Sequence, residues 1–417
     1  MSQPEAGTAP SRRSAAEITL LAVLIICVAL VFLNRGGIAF LFPTLQPQLQ
    51  LTNTQLGQLM SVTALSWAIS SVCCSLASDI LGVRPRTLIV ICALGFSVVG
   101  GLAGAVSSFP ALLALRAAMG VFEGPVIPLV QATVAAVSPP ERRGANLGLV
   151  IGLSGMIGSM VGPALMTGMA DTVGWRFAFL ALALPGPFVA LAIWFVMRPR
   201  AVAATAVKVE RLDFRAVLRL GAQRNIFLGA IGAITTIGSA IALGTFLPLY
   251  LASLPSFSTG ERVAFFVGLG IFAHIGGIVV SALSDRFGRR PCLIAACLCA
   301  VLASGAVAMM SVSAWWVVPA LLLSFVAAGA LTLMVYVIPG ETVPPGMVAS
   351  TYAVLLFVGE MVGGTAAPTL AGWIVDQYGL VAVQGVCGAL AAIGLLAALF
   401  VREPAPKRST VSYAMSR

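Results

Sequence analysis

Arg116 and Glu123 stand seven residues apart in LRAAMGVFEGPVIP, residues 115–128, where almost every other side chain is apolar. On an α-helix that spacing puts both on one face, two turns and about 10 Å apart. A guanidinium keeps its proton and offers fixed, planar donors to an anion, whereas a carboxylate can take a proton up and release it. The pair is therefore suited to holding an anion and exchanging a proton, or to a permanent salt bridge. Three more ionisable residues sit in equally apolar surroundings: Arg35 in FLNRGGIAF, Glu360 in LLFVGEMVGG and His274, the only histidine, in FAHIGGIV. Glu123, Glu360 and His274 are the candidate proton-coupling groups, the imidazole because it titrates near neutral pH. For His274 a core imidazole bonded to a backbone carbonyl is the competing reading, and Glu360 and His274 could also pair with each other.

The elements that carry these residues follow from composition. Of 417 residues 59% are hydrophobic and only 9% charged, with a mean hydropathy of +1.03, too little polar surface to cover a water-soluble globule. A bilayer core of about 30 Å takes roughly 20 apolar residues per helix. Twelve such runs are legible, at about 17–45, 54–79, 86–106, 108–138, 143–170, 174–197, 225–254, 262–284, 290–311, 313–339, 346–375 and 379–401. They are long and continuous, so the expected class is an all-α membrane protein with 12 transmembrane helices and not a β-barrel. The polar first 16 residues lead into an apolar segment too long for a cleavable signal.

The net charge of +10 could suggest a polyanionic partner, but its placement speaks for topology. With both termini assigned to the cytoplasm, only Arg176 and Arg262 of the 24 Lys and Arg fall on the opposite side, and Arg35 and Arg116 within spans. The expectation is a multi-pass protein of the inner (plasma) membrane with no nucleic-acid partner. All eight Cys fall inside proposed helices at spacings that match no metal site, and read as free buried thiols. No metal or cofactor is expected.

A polar stretch at 198–224, with a candidate surface helix at LDFRAVLRL, separates six spans from six. The expected organisation is a tail at 1–16, a six-helix unit at 17–197, the connector, a second six-helix unit at 225–401 and a tail at 402–417. The units repeat. LASDILGVRPR around Asp79 recurs as ALSDRFGRRP around Asp285, and GPALMTGMADTVG recurs as APTLAGWIVDQYG, matching Pro163 to Pro368, Asp171 to Asp376 and Gly174 to Gly379. Six being even, both copies keep one orientation, which gives a parallel repeat with a site between the halves.

Over nearly its whole length the chain resembles the major facilitator superfamily. SALSDRFGRRP matches the family signature G-x-x-x-D-R-x-G-R-R between the second and third helices of a half, with Ser281 in place of the leading Gly. The first copy has Ser75 for Gly and Ile80 for Arg but keeps Asp79, Gly82 and Arg84. The resemblance implies that Asp79, Arg84, Asp285, Arg286, Gly288, Arg289 and Arg290 form gates on the cytoplasmic side; otherwise the arginines merely obey the charge rule. It also places helix one beside helix four, which makes one cluster of Arg35, Arg116 and Glu123 with one positive charge in surplus.

R-x-x-x-G-x-x-E-[AG]-P in helix four, with N-R in helix one, resembles the anion:cation symporter family and, second, the Spinster lipid transporters. Both often have Asp where Asn34 stands here. Arg35, Arg116, Asn34, Gln131, Tyr250 and Tyr336 are the candidate substrate-binding residues, with Thr235 as a further lining position, although an aromatic on an apolar helix is more often packing. GSMVGP, Gly158 to Pro163, resembles a helix-five antiport motif, but small-xxx-small spacing is first of all a packing device. The implied function is proton-coupled symport of a small organic anion, a carboxylate by its fit to arginine, by a monomer working through alternating access and driven by the gradient, since no ATP-binding loop occurs. The alternative is proton-exchanging efflux of drugs or amphiphilic lipids. A receptor or membrane enzyme is a third class, which the lack of a metal cluster or of a nucleophile with a paired base disfavours.

Overall fold

The computed structural model describes residues 15–81, 83–139, 142–197, 221, 223–344 and 347–404. These form twelve helices long and apolar enough to cross a membrane: α1 (Ala15–Leu49), α2 (Asn53–Leu81), α3 (Pro85–Ala103), α4 (Phe109–Val137), α5 (Arg143–Thr172), α6 (Trp175–Val196), α7 (Arg224–Ala252), α8 (Thr259–Phe287), α9 (Arg289–Met309), α10 (Ala314–Thr342), α11 (Ser350–Tyr378) and α12 (Ala382–Phe400). No strand occurs among the described residues. A helix satisfies its own backbone polar groups, the condition for crossing hydrocarbon. The two tails, most of the 198–224 connector including LDFRAVLRL, Gly82 and the side chain of Asp79 lie outside the described residues.

The repeat is visible in the turns. Gly174 and Gly379 adopt φ of 87° and 84° in the turns that lead into α6 and α12, a conformation that strains any residue with a Cβ. Four helices are locally irregular, α6 among them with a turn at Leu184 before Pro185. α4 is interrupted at Gly124–Pro125, where proline removes a backbone donor just after Glu123. α10 and α11 each contain a π-helical turn, at Thr332–Val337 and Gly359–Gly364. In α11 the glycines of GEMVGG bring the backbone against α7, where a Cβ at Gly363 would strike the Ile234 carbonyl, and the Thr365 hydroxyl donates to the Glu360 carbonyl at 3.3 Å. π turns recur at functional sites. One carries Tyr336, the other Glu360.

Burial is uneven along the membrane normal. A core cluster from both halves, with Leu33, Phe42 and Leu56 on one side and Phe246, Ala367 and Ala371 on the other, seals one end. Phe40 of α1 meets Phe266 of α8 edge to face at 5.0 Å. Toward the other end the halves have separate cores, and the last part of α4 packs on α1, α3 and α5 while the start of α11 packs on α7 and α10. The halves thus share a core toward the Asn53–Asp376 end and have separate cores toward the Arg289 end, and the space left between them there is the chamber, closed at the first end and splayed at the second.

The closed end is made by α2 against α11. A Cβ at Gly57 would collide with the Pro368 carbonyl, and one at Gly372 with the Asn53 carbonyl, so the helices touch backbone to backbone. Ser61 and Thr369 hydrogen-bond across the seam at 2.8 Å. The Asp376 carboxylate accepts from Asn53 N at 2.9 Å, Asn53 Nδ2 at 2.8 Å, Thr54 N at 2.9 Å and Thr54 Oγ1 at 2.6 Å. It caps the first turn of a helix in the other half, where the free N–H groups and the helix dipole favour an anion. Asp171, its counterpart in the repeat, is exposed and makes no such bond among the described residues; α8 is capped instead by its own Ser258 and Glu261. Losing an acidic cap costs about 0.5–2 kcal/mol, a factor of roughly 2–30. Asp376→Ala is therefore expected to speed amide exchange over residues 52–57 by about tenfold, read by hydrogen-exchange mass spectrometry, with α8 unaffected.

All eight cysteines are free, as the sequence suggests, but only Cys27, Cys92, Cys297 and Cys387 are buried. Cys73 is exposed because its face of α2 turns away from the bundle, a direction that composition alone does not fix.

Candidate functional site

Arg35 of α1 reaches across the chamber, and its Nη2 forms an ion pair with Glu360 Oε2 of α11. The side chains are 16% and 12% exposed, so the contact is largely withdrawn from solvent while still touching the chamber. The guanidinium carbon lies 5.1 Å from the ring centroid of Trp67 on α2, a cation–π arrangement. Trp67 Nε1 is buried and donates to no protein acceptor. Ala64 of α2 and Ile241 of α7 flank the Glu360 carboxylate at Gly364, and Tyr336 is close enough to feel its charge. Tyr336 itself packs edge to face on Tyr352, with centroids 5.3 Å apart.

The expected triad of Arg35, Arg116 and Glu123 is not a single ion cluster. Arg116 is buried, at 1% exposure, and spends its donors on helix-one backbone: Nη1 to the Asn34 carbonyl at 3.4 Å and Nη2 to the Arg35 carbonyl at 3.1 Å. It holds the segment that carries Arg35, and its planar fork is not presented to the chamber. Asn34 is likewise turned inward, its Nδ2 donating to the Leu30 carbonyl at 2.9 Å and its Oδ1 facing Gly100 of α3. Glu123 is fully buried, and among the described residues neither of its oxygens accepts a hydrogen bond. It feels the charges of both Arg116 and Arg35 but forms an ion pair with neither. The clamp of helices one and four by a salt bridge is therefore not formed; the helices are tied through Arg116 and carbonyls.

The surplus positive charge expected from the sequence also changes. Glu360 joins the site, so two guanidinium groups face two carboxylates. Glu360 does not pair with His274, whose Nδ1 lies 2.8 Å from the Gly270 carbonyl while its Nε2 is set against Gly155 of α5 at a contact between the halves.

Of the remaining candidates, Tyr250 is fully buried and donates to the Val307 and Ala308 carbonyls of α9 at 3.1 and 3.0 Å, which corrects the expectation that it lines the chamber. A phenol among Leu247, Leu251 and Phe257 needs an acceptor, and the end of α9 supplies it. Thr235 faces Gly394 of α12. Gln131 is exposed on the splayed part of α4. Gly158 lets α5 close on Phe32 of α1, a packing role for GSMVGP.

At the splayed end Gly288, with φ of 93°, turns the chain from α8 into α9. Arg289 pairs with Asp285 at 2.6 Å and with Glu341 of α10 at 2.6 Å, and Nη1 donates to Ser284 Oγ at 2.6 Å. Glu403 accepts from the backbone N of Arg289 and of Arg290 at 2.5 and 2.8 Å, and Arg290 donates to the Leu399 carbonyl at 2.8 Å. Every one of these contacts lies within the second half. Arg286 and Arg84 are exposed, and Arg86 stacks on Trp194 at 3.8 Å.

Three contributors escape the sequence reading. Trp67 looks like ordinary packing in an apolar helix. Glu341 and Glu403 sit at helix ends, where a charge needs no explanation. Asp376 does carry a signal, its place in the repeat, but the partner it grips is not in the repeat.

The model of the Major Facilitator Superfamily matches residues 24–361. A probable L-galactonate transporter of Escherichia coli (strain K12) is 25% identical over 93% of this chain and 90% of its own. A probable sulfoacetate transporter of Cupriavidus necator is 25% identical over 92% and 93%. Among solved structures, a bacterial homologue of the human lysosomal transporter Spinster, inward-facing and unoccupied, superposes with a TM-score of 0.74 at 19% identity, covering 93% of this chain and 97% of that one.

Proposed function

Because the chain belongs to the Major Facilitator Superfamily, a family of membrane transporters and not of enzymes, we propose that it carries a small organic anion, a carboxylate, together with protons by alternating access. One observation carries this reading: Glu123 is a fully buried carboxylate whose oxygens accept no hydrogen bond from the described residues, placed within the field of two arginines. A buried charge without partners is costly, and a proton removes that cost. Two positive and two negative side chains leave no net charge for an incoming anion. Neutralising one carboxylate provides it, so proton and anion enter as a pair. Arg35 is the anion-binding residue, Arg116 positions it by holding the helix-one carbonyls, and Glu123 carries the proton. The relatives named for L-galactonate and sulfoacetate, both organic anions, support this cargo class.

The protein works as a monomer of two six-helix units, 17–197 and 225–401, with the splayed end and both termini in the cytoplasm of a bacterial-type plasma membrane. Arg84, Arg86, Arg142, Arg143, Arg286, Arg289 and Arg290 all gather at that end, as the positive-inside rule requires. The gating contacts of Arg289 within the second half belong to this inward-open state; closing the end brings the loop to the first half.

Proteoliposomes test the coupling. Glu123→Gln is expected to reduce uptake driven by an inward proton gradient to under about 5% of wild type while exchange of labelled for unlabelled anion continues, the two-readout split that a packing role does not produce. Gradient-driven uptake that survives unchanged overturns the assignment. Substrate-driven proton release from the vesicles, in place of co-entry, supports the efflux mode instead.

A further inference from the structure

Glu360 occupies the very group that the cargo needs. Its carboxylate sits on Arg35 from the opposite half of the protein, in a contact that neither half makes alone. An anion that pairs with Arg35 through both Nη atoms must compete with Glu360 for Nη2, and Arg116 offers no alternative because its Nη atoms are spent on the Asn34 and Arg35 carbonyls. Once displaced, Glu360 is left in the wall formed by Ala64, Ile241 and the Gly359–Gly364 turn, without a cation. The ionisable groups facing it are Arg35 from α1, Tyr336 from α10 and, beyond Arg35, Glu123 from α4; α2 and α7 contribute Trp67, Ala64 and Ile241, none of which titrates. None of these replaces a lost guanidinium.

We propose that Glu360 is a tethered substitute for the cargo, which holds Arg35 until an organic carboxylate displaces it and then takes one proton from the water of the chamber. The step moves one proton: carboxylate plus proton gives carboxylic acid, the ion pair of Arg35 passes from Glu360 to the incoming anion, and the charge of the site is unchanged. This rests on the reading of the chain as an anion carrier, and it adds a second proton site that is tied to occupancy, whereas Glu123 lies out of reach of Arg35's ion pair. It also narrows the cargo to an acid with a planar carboxylate able to take the same place. Because Glu360 bridges the halves, the exchange replaces a bond between them with one to a diffusible ligand, so loading loosens the contact that must break for the halves to rock.

An occupied site lowers apparent affinity by the fraction of molecules in which it is free. Titration calorimetry of the full-length protein with L-galactonate and with sulfoacetate, in two buffers of different ionisation enthalpy near pH 8, counts protons taken up per anion bound. Wild type is expected to take up about one at Glu360, beyond any taken up at Glu123. Glu360→Gln, which cannot place a charge on Arg35, is expected to bind at least tenfold more tightly at this pH and to take up about one proton fewer than wild type. Glu123→Gln keeps the uptake linked to Glu360. Wild type that binds without proton uptake, or Glu360→Gln that binds no tighter with an unchanged proton count, overturns the proposal while leaving the anion reading intact. If neither anion binds either protein, the anion reading fails, and the proposal with it.

Discussion

Arg35→Gln is expected to abolish anion binding and transport together. On the proposed mechanism the guanidinium supplies the planar donors for the cargo, and a charge-assisted hydrogen bond is worth about 1.5–3 kcal/mol, so two of them lost correspond to at least about 100-fold in affinity. Glutamine has a donor amide but no charge. The change also strips Glu360 of its partner, and breaking one member of a buried pair costs about 3–5 kcal/mol unless the survivor is neutralised. Both effects act in one direction. Thermal-shift titration with L-galactonate and counterflow in proteoliposomes check the result, with Arg35→Lys as companion: it restores charge without the planar fork and should recover stability more than affinity. Full binding by Arg35→Gln places the anion elsewhere.

Gly57→Val should stop flux for a different reason. In the structure a Cβ at this position would overlap the Pro368 carbonyl, and backbone on both sides leaves nothing flexible to yield. Overpacking costs about 1–3 kcal/mol or more, and about 3 kcal/mol moves a two-state equilibrium by over 100-fold. The end closed by α2 and α11 is then held open. Uptake and counterflow are expected to fall below about 5% of wild type while the anion still raises the melting temperature, because Arg35 and Glu360 lie farther along the helices. Gly372→Val, against the Asn53 carbonyl, should behave alike. Normal counterflow in either variant means that the seam parts and reforms around the added methyl groups.

Much of this was legible in the sequence. Twelve spans, the parallel repeat and the family follow from hydropathy and from two matched segments, because membrane crossing imposes a length and composition on every helix. Spacing on one helix was also reliable: Arg116 and Glu123 both turn into the bundle. What failed was partner choice between helices. Arg35 goes to Glu360 and not to Glu123 because α2 and α11 lie against each other near the chamber's closed end, a contact made by Gly57, Gly372 and the π turn at 359–364, and no periodicity announces such a turn. Tyr250 and Asn34 were misplaced because a polar tip on an apolar helix finds the nearest carbonyl, and which carbonyl that is depends on rotation about the helix axis.

The duplicated halves are not bolted alike. Asp376 fastens α11 to the start of α2, whereas Asp171 grips nothing comparable and α8 secures its own first turn. Where α5 faces α8 the contact is made over glycines, with Ser159 against Gly270 and the His274 imidazole against Gly155. One flank must therefore unfasten before it can move, while the other can slide without breaking a charged contact. If the halves rock as proposed, the swing is hinged, with its pivot along α5 and α8 and its catch at Asp376, even though the architecture is twofold.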